Sequence, residues 1–119
     1  MDRRIELVIS KFETETATSW NTATLASMVD LSPSRFRHLF KQETGKSPAQ
    51  YLKEFRLRKA EMMLRTTFLA VKQIVKRVGI RSNSHFVRDF RKKYGMTPTA
   101  YRRTLWRATK AKKARRKRS

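Results

Sequence analysis

Residues 32–51 read "SPSRFRHLFKQETGKSPAQY", and residues 82–101 read "SNSHFVRDFRKKYGMTPTAY". Seven of the twenty positions are identical: Ser32/Ser82, Ser34/Ser84, Phe36/Phe86, Phe40/Phe90, Gly45/Gly95, Pro48/Pro98 and Tyr51/Tyr101. In the first copy Ser32 has the chemistry of an N-cap, and Pro33 sits at the first helical position, where its missing N–H costs nothing. Phe36, Leu39 and Phe40 then share one apolar face, and Gly45 suits a left-handed cap that ends the helix. Ser47 and Pro48 start the next helix at once. The second copy repeats the plan with Ser82, Phe86, Phe90, Gly95 and Thr97-Pro98.

Outward from this repeat, apolar spacing is helical throughout and no stretch alternates with a period of two. Ile5, Val8, Ile9 and Phe12 define a first helix over residues 2–13. Leu25, Ala26, Met28 and Val29 define a second, starting near Asn21 or Thr22 and stopping at Asp30. The third is the quoted stretch. A fourth, from Pro48 to Thr66, has roughly nineteen residues and spans about 28 Å. Its early apolar residues (Tyr51, Leu52, Phe55) point one way, and its later ones (Leu57, Ala60, Met63, Leu64) more than a right angle away. Such a helix serves two separate bodies. Val71, Ile74, Val75 and Val78 mark a fifth helix, residues 82–94 a sixth, and Tyr101, Leu105 and Trp106 a seventh from Pro98. The expected fold is all-α, with seven helices. Two helix-turn-helix subdomains of homeodomain-like form, over about 22–45 and 71–94, are joined by a linker helix over about 48–66.

Charge narrows the partner. Thirty Lys and Arg against nine Asp and Glu give +21 over 119 residues. A field of that size opposes compaction unless a polyanion is bound, and nucleic acid is the leading candidate. The last thirteen residues, "RATKAKKARRKRS", hold eight basic groups and no acid; without them the remainder is still +13. Lacking core residues, 107–119 is expected to be a basic tail, disordered or loosely helical in isolation, and either a solvated end or an extension that adds phosphate affinity without reading sequence. No apolar run approaches the ~18–20 residues of a membrane span. The charged start "MDRRIELVISKF" is no signal peptide. The absence of cysteine excludes disulfides and thiolate metal sites and fits a cytoplasmic location.

Two short helices joined by a tight turn, the second basic, form a unit whose second helix suits the major groove of duplex DNA. With Phe36, Leu39 and Phe40 inward, Ser34, Arg37, His38 and Lys41 face out. With Phe86 and Phe90 inward, Ser84, Val87, Arg88 and Arg91 do, and Asn83 lies at the helix start. Arginine reads guanine, asparagine reads adenine, serine adapts to either, and valine meets the thymine methyl. Base reading is therefore assigned to Ser34, Arg37, His38, Asn83, Ser84, Val87 and Arg88. Phosphate holding is assigned to Arg35, Lys41, Gln42, Arg91, Lys92 and Lys93, with His85 as an exposed or capping residue on the phosphate side. Two reading helices one turn of B-DNA apart need ~34 Å, close to the linker helix plus its neighbours. One chain then does what a symmetric dimer does elsewhere, as a monomer on an asymmetric site.

These residues resemble the AraC/XylS family of bacterial transcription regulators. "LASMVDLSPSRFRHLFKQETGKSPAQYLKEFRLRKAEMML" is similar to its first helix-turn-helix and linker helix, and "IVKRVGIRSNSHFVRDFRKKYGMTPTAYRR" to its second. The likeness covers about residues 5–104. It implies sequence-specific binding at promoters and activation through contact with RNA polymerase, with base-reading positions falling on Ser34, Arg37, His38, Asn83, Ser84 and Arg88. Ala70 stands where the family has a capping Ser or Thr, Val75 where it has a small alanine, and Ile80 where it has phenylalanine, so the second unit is expected to be the weaker reader. Most members carry a separate sensor or dimerisation domain, for which 119 residues leave no room; Met1 favours a stand-alone member over a fragment.

An enzyme is not expected, because His38 and His85 lack a carboxylate pattern for acid–base or metal work. No cofactor is implied. Asp89, in the slot of Leu39, is expected to pair with a neighbouring arginine. The competing reading is a basic nucleic-acid-binding protein of nucleoid or ribosomal type, without a preferred duplex site.

Overall fold

The computed structural model describes residues 1–118, with side chains through residue 112 and at residue 114. Among these residues there are seven helices and no strand: α1 (Arg3–Thr14), α2 (Thr22–Met28), α3 (Pro33–Thr44), α4 (Pro48–Thr66), α5 (Val71–Val78), α6 (Asn83–Tyr94) and α7 (Pro98–Arg118). None of them is long and apolar enough to cross a membrane.

Each helix begins where its capping chemistry dictates. Asp2 accepts the Arg4 N–H at 2.8 Å, Asn21 that of Thr24 at 2.9 Å, and Ser32 that of Arg35 at 3.2 Å. Ser47, Ser82 and Thr97 do the same for Gln50, His85 and Ala100. α5 is the exception. Ala70 has the backbone of a cap (φ −63°, ψ 150°, against −66°, 154° at Ser32) but no side-chain acceptor. Only the reverse bond forms, with the Ala70 N–H donating to Gln73 Oε1 at 2.9 Å. Because the backbone is already placed, Ala70→Ser should raise stability by about 1 kcal/mol in thermal unfolding; an unchanged Tm would mean that Gln73 already compensates in full.

The chain builds two cores. The first takes Ile5, Val8 and Phe12 from α1, Leu25, Ala26 and Val29 from the α2 end, Phe36 and Phe40 from α3, and Leu52 from α4. The second takes Leu57, Ala60 and Leu64 from α4, Ile74, Val75 and Val78 from α5, and Phe86 and Phe90 from α6. Phe36–Phe40 and Phe86–Phe90 meet edge-on in both, at 5.8 and 5.5 Å between centroids, and Tyr51 and Tyr101 close on Phe40 and Phe90 in the same way. Tyr101 also donates to Glu61 Oε1 at 2.8 Å. Burial opposes ionisation of Glu61, but the hydrogen bonds from Arg65 and Tyr101 outweigh it and hold that carboxyl below its ordinary pKa.

α4 is thus shared, and its apolar face turns between Leu52 and Leu57 as the sequence requires. Phe55 departs from the expectation: it is half-buried and belongs to neither core. Val75, bulkier than alanine, is accommodated at 5% exposure.

Over the basic tail α7 continues unbroken through Arg118, the helical of the two forms expected for it, and Ser119 lies outside the described residues. Ala, Lys and Arg are strong helix formers, and a helix already nucleated on the second core needs no new nucleus to continue. The extension contributes to a molecule of 62 × 30 × 22 Å. Near its root, Trp106 lies 5.5 Å from the Phe68 ring, which is 91% exposed.

Candidate nucleic-acid interface

The outward faces of α3 and α6 carry the assigned side chains. Ser34, Arg35, Arg37, His38, Lys41 and Gln42 are all exposed on α3, opposite Phe36 and Phe40. On α6, Asn83, Ser84, His85, Arg88, Arg91, Lys92 and Lys93 are exposed and Val87 is half-buried, opposite Phe86 and Phe90. The helical projection alone accounts for this split, because the aromatic pair in each copy fixes the rotation of its helix.

Two shallow concavities lie on these faces. Asn83, Ser84, Val87, Arg88, Arg91 and Lys92 line one. Ser34, Arg35, His38 and Gln42 line the other together with Arg4 of α1, which the periodicity did not single out. The Arg4 guanidinium is steered there by Asp2, to which it donates at 3.2 and 3.0 Å.

Several assigned groups have additional partners. His85 Nδ1 is hydrogen-bonded to the capping Ser82 hydroxyl at 2.7 Å, and the ring turns toward the cleft between the two units. The ring is exposed and the cap is Ser82, which accepts the His85 N–H at 3.2 Å, while any reach of His85 to a phosphate is a separate proposal. Asp89 meets Arg88 at 3.6 Å and Lys53 of α4 at 3.5 Å, so its charge serves the junction of the units. Lys46 is paired with Glu54 beside the first unit. Among the described residues, no three His, Asp or Glu side chains are placed to share a metal ion.

The basic residues that sequence reasoning treated only as charge include three with structural tasks. Arg56 and Lys59 of α4 bind the connector between α1 and α2. Arg102 is 9% exposed and donates to the carbonyls of Leu64, Leu69, Met63 and Thr67 at the C-terminal end of α4. A signal for Arg102 existed: fifty residues earlier its slot is held by the buried Leu52.

Comparison with known proteins fits this geometry. A family model described as a helix-turn-helix domain matches residues 25–104. The chain belongs to the AraC/XylS family of transcription regulators. It is 32% identical over 103 residues to the arabinose operon regulatory protein of Escherichia coli K12, covering 86% of this chain and 35% of that one. Among solved structures, the DNA-binding domain of AdpA in complex with a target DNA superposes with a TM-score of 0.82 at 28% identity, covering 89% of this chain and 95% of that one. An AraC-type regulator from Chromobacterium violaceum gives 0.78 at 28% identity, covering 87% and 92%. The chain spans about a third of the length of the curated relatives it matches, and those relatives are named as transcription regulators rather than enzymes.

Proposed function

We propose that this chain regulates transcription by binding a specific, asymmetric duplex site as a monomer, with α3 and α6 entering adjacent major grooves, and that it activates through contact with RNA polymerase. One observation carries the reading: two outward faces of groove-reading type, each backed by its own aromatic core, are mounted on one shared helix. Ser34, Arg37 and His38 read one word and Asn83, Ser84, Val87 and Arg88 the other, so the two words differ. Arg35, Lys41, Gln42, Arg91, Lys92 and Lys93 fix register on phosphates, with His85 at the margin. The likeness to the DNA-binding domain of AdpA, solved in complex with a target DNA, supports DNA as the partner here.

Selection of bound duplexes from a random pool tests this directly. The expected result is a two-word consensus without a palindrome. A pool returning no consensus would leave a generic polyanion binder, the reading that the +21 charge alone favours. On the selected duplex, Arg37→Ala or Arg88→Ala should cost about 1–3 kcal/mol and relax preference at one base position. Uniform weakening on selected and scrambled duplexes would remove these arginines from base reading. Because Arg88 also contacts Asp89, its loss is expected to be the smaller of the two.

A further inference from the structure

The connector between α1 and α2 is ordered as part of the first unit. Thr16, 4% exposed, donates its hydroxyl to the Phe12 carbonyl at 2.9 Å. The Trp20 indole N–H donates to the Glu15 carbonyl at 3.0 Å, and its ring packs on Phe12. This connector then reaches across to the part of the molecule that carries the second core. Arg56 Nε donates to the Thr16 carbonyl at 2.9 Å and Arg56 Nη2 to that of Thr18 at 2.6 Å, while Lys59 Nζ donates to Thr16 Oγ1 at 2.9 Å.

Beyond α4 the connector meets the turn between α5 and α6. A Cβ on Gly79 would lie 2.7 Å from Ala17 Cα and 3.0 Å from its carbonyl oxygen. Backbone thus touches backbone. Gly79 has φ +80°, yet that alone does not demand glycine, because Asp30 holds the matching turn of the first unit at φ 57°. What distinguishes position 79 is the approach of Ala17.

We propose that the Glu15–Trp20 connector is a wedge that fixes the distance and angle between α3 and α6, making Ala17, Gly79, Arg56 and Lys59 determinants of half-site spacing. This rests on the reading of α3 and α6 as groove-entering helices. A single helix joining two bodies resists stretching but leaves each body free to rock about the helix axis. The wedge adds a second point of contact away from that axis at Ala17 and Gly79. Arg56 and Lys59 tie the connector to α4 beside Leu57 and Ala60 of the second core, so rocking must part the backbone contact or break charge-assisted bonds. The Lys53–Asp89 pair, at 3.5 Å with its lysine exposed, is a weaker third link. A rigid pair of probes accepts one spacing, and a loose pair accepts several.

The glycines supply their own control. Gly45 and Gly95 have φ +79° and +80°, and a Cβ there meets nothing within 4 Å. Gly95→Ala therefore adds the backbone strain alone, and Gly79→Ala adds the same strain plus displacement of Ala17. Should Gly79→Ala fail to fold, the Arg56→Ala/Lys59→Ala double variant opens the wedge from the other side.

The test uses the full chain and duplexes recovered from the random pool, with one base pair inserted between the two read words. For wild type and Gly95→Ala, the insertion should weaken binding at least tenfold; for the double variant and Gly79→Ala, less than threefold. Loss of two cations lowers affinity on every duplex alike, and the ratio between spacings is unaffected by it. The free protein gives an independent readout, because a chain without cysteine accepts spin labels at Ser10→Cys and Lys76→Cys alone. The distance distribution between α1 and α5 should be narrow in wild type and broad in the double variant. Equal widths together with equal spacing penalties overturn the wedge. Failure to recover any two-word consensus overturns the DNA reading instead, and the label distances still decide whether the wedge holds the units.

Discussion

Arg102→Ala should destabilise the chain by about 3 kcal/mol in urea unfolding, near the upper end for hydrogen bonds from a charged donor. Helix α4 ends at Thr66, where the Met63 carbonyl accepts from Thr67 and the last carbonyls, that of Leu64 among them, have no intrahelical partner. The Arg102 fork occupies that end, with Nε on Leu64, Nη2 on Met63 and Thr67, and Nη1 on Leu69. Burial lowers the pKa of this guanidinium, but arginine remains cationic at neutral pH. Its side chain also lies 5.3 Å from the Trp106 ring, so packing and hydrogen bonding contribute together. Arg102→Met separates them, keeping most of the apolar stem and losing every donor. Arg102→Lys should restore less than half of the loss, because an ammonium lacks the planar fork that serves four separated acceptors. One opposing effect exists: deleting a cation from a chain of +21 relieves some repulsion. A measured loss under about 1 kcal/mol would mean that water takes over the carbonyls without cost.

Most of the scaffold is legible in the sequence because its determinants are local. A short polar side chain two or three residues before a free N–H sets every helix start but that of α5, and Phe36/Phe40 and Phe86/Phe90 set the rotations of α3 and α6. The two outward faces follow from those rotations, so the exposed side chains of α3 and α6 are legible too. The turn of the α4 apolar face is readable for the same reason, since Leu52 and Leu57–Leu64 must face different bodies. Phe55 is misplaced by that reasoning because periodicity gives direction but not whether a partner stands there. Arg102 and the wedge are hidden for a different reason. Arg102 binds residues 33 to 39 positions away, and Ala17 meets Gly79 through backbone atoms. The approach of Ala17 leaves no periodic trace, and Arg102 leaves only the buried Leu52 fifty residues earlier, which gives its burial but not its acceptors. Ala70 shows the converse: the missing cap is plain in the sequence, while the Gln73 side chain that partly replaces it needs coordinates.

Composition leaves the tail's form open, and its helical form sharpens what its removal should do. Residues 107–118 continue α7 by ~18 Å past Trp106. All of their described side chains are exposed, so none supports the second core. Deleting residues 107–119 should therefore not lower the unfolding midpoint of the rest, and relief of repulsion from eight cations should if anything raise it. Binding is another matter. The deleted segment holds eight basic groups and no acid, and each phosphate left without its cation takes about 0.9 off the slope of log K against log salt. If half of the eight reach phosphates, affinity at 0.1 M salt should fall by about two to three orders of magnitude, and the slope by roughly 3 to 4. The ratio of selected to scrambled duplex should stay as it was, since phosphate contacts carry no sequence information. Titrations of both duplexes across a salt series measure all three quantities. An unchanged slope would show that the helical extension stays clear of the duplex, and a changed ratio would show that it reads bases. A helical backbone spaces these residues along one rod, unlike a loose tail, so the loss should depend on the length of flanking duplex. Shortening that flank at one end of the asymmetric site should mimic the deletion, while shortening the other end should not.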